Sequence, residues 1–231
     1  MTTQGRERAM NVLVVAKAPV PGLAKTRLAA HIGARAAAEV AAAAMLDLLA
    51  TLRDDRRRVL VALAGELSQS VRQAELREAL ADCTVFGQFV GSFAERLVHA
   101  HRRAHELVAG PLLQVGMDTP QLDVALLHSA EEGLATHRAV LGPAVDGGWW
   151  ALGLHSASPA TALLRVGMST ATTGADTEAS LLATGLVGDV VGRLDCLRDV
   201  DEWADAVEVA ATVPGSLFAA VVADCYERAT S

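Results

Sequence analysis

Residues 11–28 read NVLVVAKAPVPGLAKTRL, an unbroken apolar run from Val12 to Ala16 that opens into a turn-rich loop. Pro19, Pro21 and Gly22 punctuate the loop, and Lys17, Lys25 and Arg27 give it three cations. A short apolar run bounded by turn residues reads as a buried strand. A Gly/Pro loop leaving such a strand can aim backbone N–H groups at an anion while side chains add fixed positive charge. In open α/β sheets that loop, at the carboxyl end of a parallel strand, is where ligands bind. Cations gathered on a chain of net charge −7 therefore suggest phosphate binding by Lys17, Gly22, Lys25 and Arg27. A surface turn with solvated lysines fits the same residues.

Two familiar nucleotide loops are excluded. Lys25-Thr26 matches the end of a Walker A loop, but Pro19 and Ala24 stand where that pattern needs glycine. No G-x-G-x-x-G follows the strand either, which removes the Rossmann fingerprint.

Beyond the loop, apolar runs and helical periods alternate. Strands are expected at Val12–Ala16, Arg58–Ala64, Cys83–Phe86, Leu112–Gly116, Ala139–Gly142, Trp149–Leu154 and Val190–Leu194. Helices are expected at Gly33–Arg53, Val71–Leu80, Gly91–Val108, Gln121–Ala135 and Asp176–Ala183, with two more at the C-terminus. The first would carry Val40, Ala44, Leu48 and Leu52 on one face, and Ser92 with Glu95 would form a capping box. This alternation predicts an α/β fold, a mainly parallel sheet with helices on both faces. No repeat or linker divides it, so residues 11–231 are expected to form one domain after a loose polar tail at 1–10.

Composition narrows the function classes. Aromatics make up only 3% of 231 residues, so Ala, Leu and Val must build the core. No membrane span is expected, because the most apolar stretch, Val40–Leu52, is interrupted by Asp47. The polar start lacks the apolar segment of a signal peptide. Cys83, Cys196 and Cys225 are widely spaced and odd in number, which fits reduced thiols in the cytoplasm. The acidic balance argues against nucleic-acid binding, and Arg56-Arg57-Arg58 reads as a solvated helix end. His101 and His105 have a helical spacing that could hold zinc, but no third ligand lies near them in sequence.

Two acidic motifs follow predicted strands. In Gly116-Met117-Asp118-Thr119-Pro120, Asp118 is either a ligand for Mg²⁺ or Mn²⁺ beside a phosphate or a helix cap. In Asp146-Gly147-Gly148-Trp149-Trp150, the glycines suit either a hairpin turn or close approach to a ligand. Successive strand residues face opposite ways, so one tryptophan can enter the core while the other lines a pocket.

AKAPVPGLAKTRL (16–28), GMDTPQL (116–122), GPAVDGGWWALGL (142–154) and LRDVDEWADA (197–206) occur in an order that resembles a bacterial family of glycosyltransferase-like proteins. That family includes members labelled arsenosugar-biosynthesis glycosyltransferases. It lies within the nucleotide-diphospho-sugar transferase (GT-A) superfamily, with molybdenum-cofactor and phospholactate guanylyltransferases. The resemblance spans about residues 11–210.

It implies a single-domain GT-A three-layer sandwich and a metal-dependent transferase that uses an NDP-sugar and a small-molecule acceptor. A nucleotidyltransferase joining NMP to a phosphorylated small molecule, or a non-catalytic nucleotide-binding protein, would use the same cleft. Lys25 and Arg27 would lie at the nucleotide phosphates, and Gln88 near the base or sugar. Asp118 and Asp199 would serve the divalent metal. Asp146 would be catalytic, with Gly147, Gly148 and Trp149 on the acceptor or sugar side. Asp201 would be the N-cap of the next helix. Met168-Ser169-Thr170 and Asp201-Glu202-Trp203 depart from the family pattern on the acceptor side.

Overall fold

The computed structural model describes residues 10–53 and 57–230, with side chains to residue 228. Its centre is a seven-stranded sheet. The strands are β1 (Asn11–Lys17), β2 (Val59–Ala64), β3 (Thr84–Gly87), β4 (Leu112–Gly116), β5 (Ala139–Pro143), β6 (Trp149–Leu154) and β7 (Gly192–Arg193). Their order across the sheet is β3-β2-β1-β4-β6-β5-β7. All pairings are parallel except those that β6 makes with β4 and β5. The mixed α/β sheet flanked by helices agrees with the fold expected from the sequence.

Even-numbered residues of β1 (Val12, Val14, Ala16) face α2 (Ala34–Leu52), α3 (Gln73–Ala79) and α5 (Val124–Thr136). On the opposite face, Leu13, Leu60 and Leu112 meet α4 (Phe93–Leu107). Further along that face, Leu141, Leu152 and Leu154 pack with the 3-10 segment Ser158–Arg165 and α6 (Thr173–Ala183). The Ser92–Glu95 capping box starts α4 as expected.

Two departures alter the picture around α2. A short α1 (Thr26–Ile32) lies within the expected loop, and Gly33, at φ 83°, separates it from α2. Nor is α2 amphipathic with one buried face. Leu48 and Leu52 face the sheet, whereas Val40 and Ala44 face α7 (Trp203–Thr212) and α8 (Leu217–Thr230). The C-terminal helices thus form a further layer outside α2, and small alanines let α2 sit between both neighbours. Asp47, which breaks the apolar pattern, accepts hydrogen bonds from the N–H groups of Leu217 and Phe218 at the start of α8.

Residues 1–9 of the expected tail lie outside the described residues, and Met10 is buried in the core. Asp54, Asp55 and Arg56 also lie outside them. Arg57 is not part of a solvated helix end. It is buried and pairs with Glu131 at 2.8 Å. The strand expected over Val190–Leu194 shortens to two residues, after which Leu197 bridges to Ala144 beyond β5. All three cysteines are free. No helix among the described residues is long and apolar enough to cross a membrane.

Candidate functional site

β1 has β2 on one side and β4 on the other, so consecutive crossovers part company at its carboxyl end. Such a switch point opens a crevice in α/β sheets. A cavity of about 430 Å³ lies there, lined by Lys17, Arg27, Gln88, Arg96, Asp118, Asp146, Gly148, Trp149 and Asp199 among others. Gly116 contributes no side chain to its floor. Most of the expected site residues are therefore brought together by distant parts of the chain.

The first loop wraps one rim. Lys17 Nζ donates to the Leu23 carbonyl at 2.6 Å and holds the Pro19–Leu23 turn closed. Gly22 shapes that turn at φ 80° but is exposed and does not line the cavity. Lys25 takes a left-handed backbone, φ 49°, at the N-cap of α1, a conformation uncommon for a residue with a Cβ. Its ammonium forms an ion pair with Asp118 at 2.8 Å, approaches Asp201 at 3.4 Å, and donates to the Val200 carbonyl. Burial pulls the Lys25 pKa down, but the charges of Asp118, Asp201 and Asp199 outweigh it and raise the pKa overall. Arg27 remains more exposed, with Asp201 at 3.5 Å.

Asp118 sits in the turn after β4, which the Thr119 hydroxyl closes by donating to the Gly116 carbonyl at 3.2 Å. It does not cap the following helix; Asp123 does, accepting from Leu126 N–H at 2.8 Å. One Asp118 oxygen holds Lys25, and the other is buried without a hydrogen-bond partner. Asp146 accepts from Gly148 N–H at 2.8 Å and remains exposed at the cavity rim. The hairpin-turn reading of the DGG motif holds, and the turn itself sets the position of Asp146. Trp150 enters the core and donates to the Asp195 carbonyl, while Trp149 lines the cavity and donates to Thr177.

Asp199 is the electrostatic outlier. Burial and the neighbouring Asp118 push its pKa up to about 7, Asp146 and Asp201 adding to the rise and Lys25 opposing it. Such carboxylates repel one another unless a proton or a cation intervenes. The unpartnered Asp118 oxygen and the crowded Asp199 therefore suit a hard divalent ion. No three His, Cys, Asp or Glu side chains among the described residues make a complete metal cage. Mg²⁺ and similar ions are commonly held by one or two carboxylates plus substrate phosphates, and two carboxylates beside a lysine-bearing loop fit that pattern.

The raised Asp199 pKa predicts a pH effect on the metal-free protein. Native Asp199 holds its proton more tightly than unfolded Asp, so its contribution to native stability is lost as pH rises between about 4 and 7. Asp199→Asn should then stabilise the metal-free protein at pH 8, by on the order of 2–4 kcal/mol, with little effect near pH 4. Urea denaturation at both pH values checks this. A gain of equal size at both would contradict it.

Other expected roles change. Asp201 does not cap α7; Glu202 does, in a capping box with Asp205, and Asp201 instead faces Lys25 and Arg27. Gln88 reaches the cavity, but its amide protons go to the carbonyls of Ala16 and Ala62 at 2.8 and 2.9 Å. His101 is fully buried, and burial followed by the neighbouring His105 lowers its pKa to about 3. It belongs to no metal cluster among the described residues. Sequence reasoning missed Arg96, which lines the cavity from α4. It follows Glu95 in a charged helical turn, and nothing in that spacing sets it apart.

Residues 46–170 match DUF2064, a family described as "Uncharacterized protein conserved in bacteria". No curated protein matches the chain. Among solved structures, a protein provisionally described as a nucleotide-diphospho-sugar transferase from Desulfovibrio desulfuricans G20 superposes with a TM-score of 0.81 at 20% identity, over 96% of this chain and 97% of that one. The 4-diphosphocytidyl-2C-methyl-D-erythritol synthase of Anaerococcus prevotii DSM 20548 gives 0.55 at 8% identity, over 89% and 99%. The inositol-1-phosphate CTP transferase of T. maritima gives 0.51 at 11%, over 92% and 96%. At these identities the likeness establishes the fold.

Proposed function

We propose, for a chain that belongs to the DUF2064 family, a metal-dependent transferase that uses an activated nucleotide, with an NDP-sugar as donor and a small molecule as acceptor. The observation that carries this reading is the Lys25–Asp118 pair at the β1/β4 switch point, whose Asp118 lines the same crevice as Asp146 and Asp199. A cationic loop and an acidic cluster thus adjoin, as a phosphate-transfer or glycosyl-transfer site would require.

In this reading Lys25 and Arg27 offset the charge of the diphosphate, and Lys25 also fixes the rotamer of Asp118. Asp118 and Asp199 would hold Mg²⁺ or Mn²⁺, which when bound supplies Lewis-acid neutralisation of the leaving diphosphate, an effect of several kcal/mol. Asp146, held by Gly148 N–H at the open rim, orients the acceptor hydroxyl and accepts its proton. Trp149 and the Gly148 backbone, which line the cavity, would form the wall on the acceptor side, while Gly147 packs against the Ala171 backbone.

Thermal shift against NTPs and NDP-sugars, with and without Mn²⁺, tests the reading. An NDP-sugar present at about 100 times its Kd should add roughly 2.7 kcal/mol of stability, in a Mn²⁺-dependent way. Preference for NTPs instead would point to nucleotidyl transfer in the same cleft. No response to either class would refute a nucleotide-using transferase.

A further inference from the structure

We infer that Arg96 reads the nucleobase, so that the cavity selects nucleotides whose base carries an oxo group over adenine nucleotides. The inference rests on the nucleotide reading above and extends it to the base.

Among the described residues lining the cavity, the cations differ in what they already hold. Lys17 is bound to the Leu23 carbonyl, and Arg27 approaches Asp201. Arg96 makes no ion pair among the described residues, although it is only partly exposed and its Nε is fully buried without a partner. A guanidinium in that position is seldom left without an acceptor. Its one acceptor among the described residues is Gln88 Oε1, at 3.2 Å from Nη1.

Its mount is rigid. Both amide protons of Gln88 are fixed on the carbonyls of Ala16 and Ala62. The guanidinium lies 5.2 Å from the Phe93 ring centroid, a packing that lowers the entropy cost of presenting its donors. This is a preset planar fork facing a cavity, which matches a planar ligand edge that offers acceptors.

Position decides which part of the ligand arrives there. Gln88 ties Arg96 to the ends of β1 and β2, whereas Asp118 follows β4 and Asp146 precedes β6. Strands lie about 4.8 Å apart, so Arg96 stands roughly 10 Å from the Asp146 side of the sheet, with the Lys25–Asp118 pair between. A ligand whose diphosphate occupies the middle must place one end at each. The Asp146 end is exposed and carries a carboxylate that suits an incoming hydroxyl, while the Arg96 end presents a guanidinium whose Nε has no partner and receives the base. Guanine, uracil and cytosine each carry a carbonyl oxygen that a donor fork can take, whereas adenine carries none.

Titration calorimetry with GDP, UDP, CDP and ADP in Mn²⁺, on the full chain and on Arg96→Gln and Arg96→Lys, tests this. At least one oxo-base nucleotide should bind roughly 10- to 100-fold tighter than ADP. Arg96→Gln should flatten that ratio toward one, Arg96→Lys should restore part of it, and Mn²⁺-pyrophosphate should bind all three proteins alike. Equal binding of ADP by the full chain would overturn the role of Arg96, as would a preference that survives in Arg96→Gln. If pyrophosphate affinity falls as far as nucleotide affinity in Arg96→Gln, the residue serves phosphate and the inference fails. Failure of every nucleotide to bind would refute the transferase reading itself.

Discussion

Asp118→Asn is expected to lose metal-dependent nucleotide binding by a factor of about 100 or more while leaving the fold intact. The substitution keeps the side-chain volume and the turn closed by Thr119, but removes the charge a divalent ion would meet. An ion that contributes several kcal/mol through its carboxylates should forfeit much of that. The metal-free protein loses the ion pair with Lys25, yet Lys25 keeps Asp201 and the Val200 carbonyl, so folding persists. A second readout follows from the charge pattern. Asp118 is the strongest neighbouring charge holding the Asp199 pKa up, so Asp199 in the variant should titrate at lower pH. Calorimetry with Mn²⁺ and nucleotide, beside a circular dichroism melt, separates binding from folding. Unchanged Mn²⁺-dependent affinity would remove Asp118 from the metal-binding role.

Gly147→Ala should be the most destabilising single-methyl change at the site. Gly147 has φ 87°, and a Cβ there would sit 2.0 Å from the Ala171 carbonyl oxygen. The Gly147 carbonyl also accepts from Gly174 N–H at 2.8 Å, so hairpin and α6 are docked backbone to backbone and neither can rotate aside. A left-handed alanine and a backbone clash together should cost about 2–4 kcal/mol. For a chain of this size that corresponds to roughly 5–15 °C in Tm. Gly22→Ala is the matched control. It has a similar φ of 80° but open space around the added carbon, so its cost should be near 1 kcal/mol. Equal Tm losses in the two variants would show that φ alone, and not the contact with Ala171, sets the cost.

The sheet was legible because its strands are short apolar runs closed by Gly, Pro or Asp. Leu112–Gly116 and Trp149–Leu154 match their predicted bounds residue for residue. α1 was hidden, since its N-cap is a left-handed Lys25 with no capping side chain. The two-sided burial of α2 was hidden as well. Alanine fits a helix wedged between layers as readily as one on a surface, and only the position of α8 distinguishes them. At the site, Asp118 could be found because a strand points directly at it. Asp201 could not, because what redirects it from a cap to the cleft is Lys25, 176 residues away. Arg96 carries no sequence signal at all. Its significance lies in the missing carboxylate, which is a fact of three dimensions.

The contact between Lys25 and the Val200–Asp201 segment also bears on when the cleft comes into being. During synthesis the lysine loop emerges early, and its counter-charge at Asp201 follows only after all seven strands have left the ribosome. Asp47 waits comparably long for the α8 start that it caps, 170 residues downstream. Closures over such separations bear the largest chain-entropy cost and form late. A growing chain can therefore complete most of its sheet while the Lys25 loop still lacks its contacts with Val200 and Asp201. The cleft closes only when Val200 and Asp201 reach Lys25, across 175 and 176 residues, and so it is completed after the sheet rather than with it.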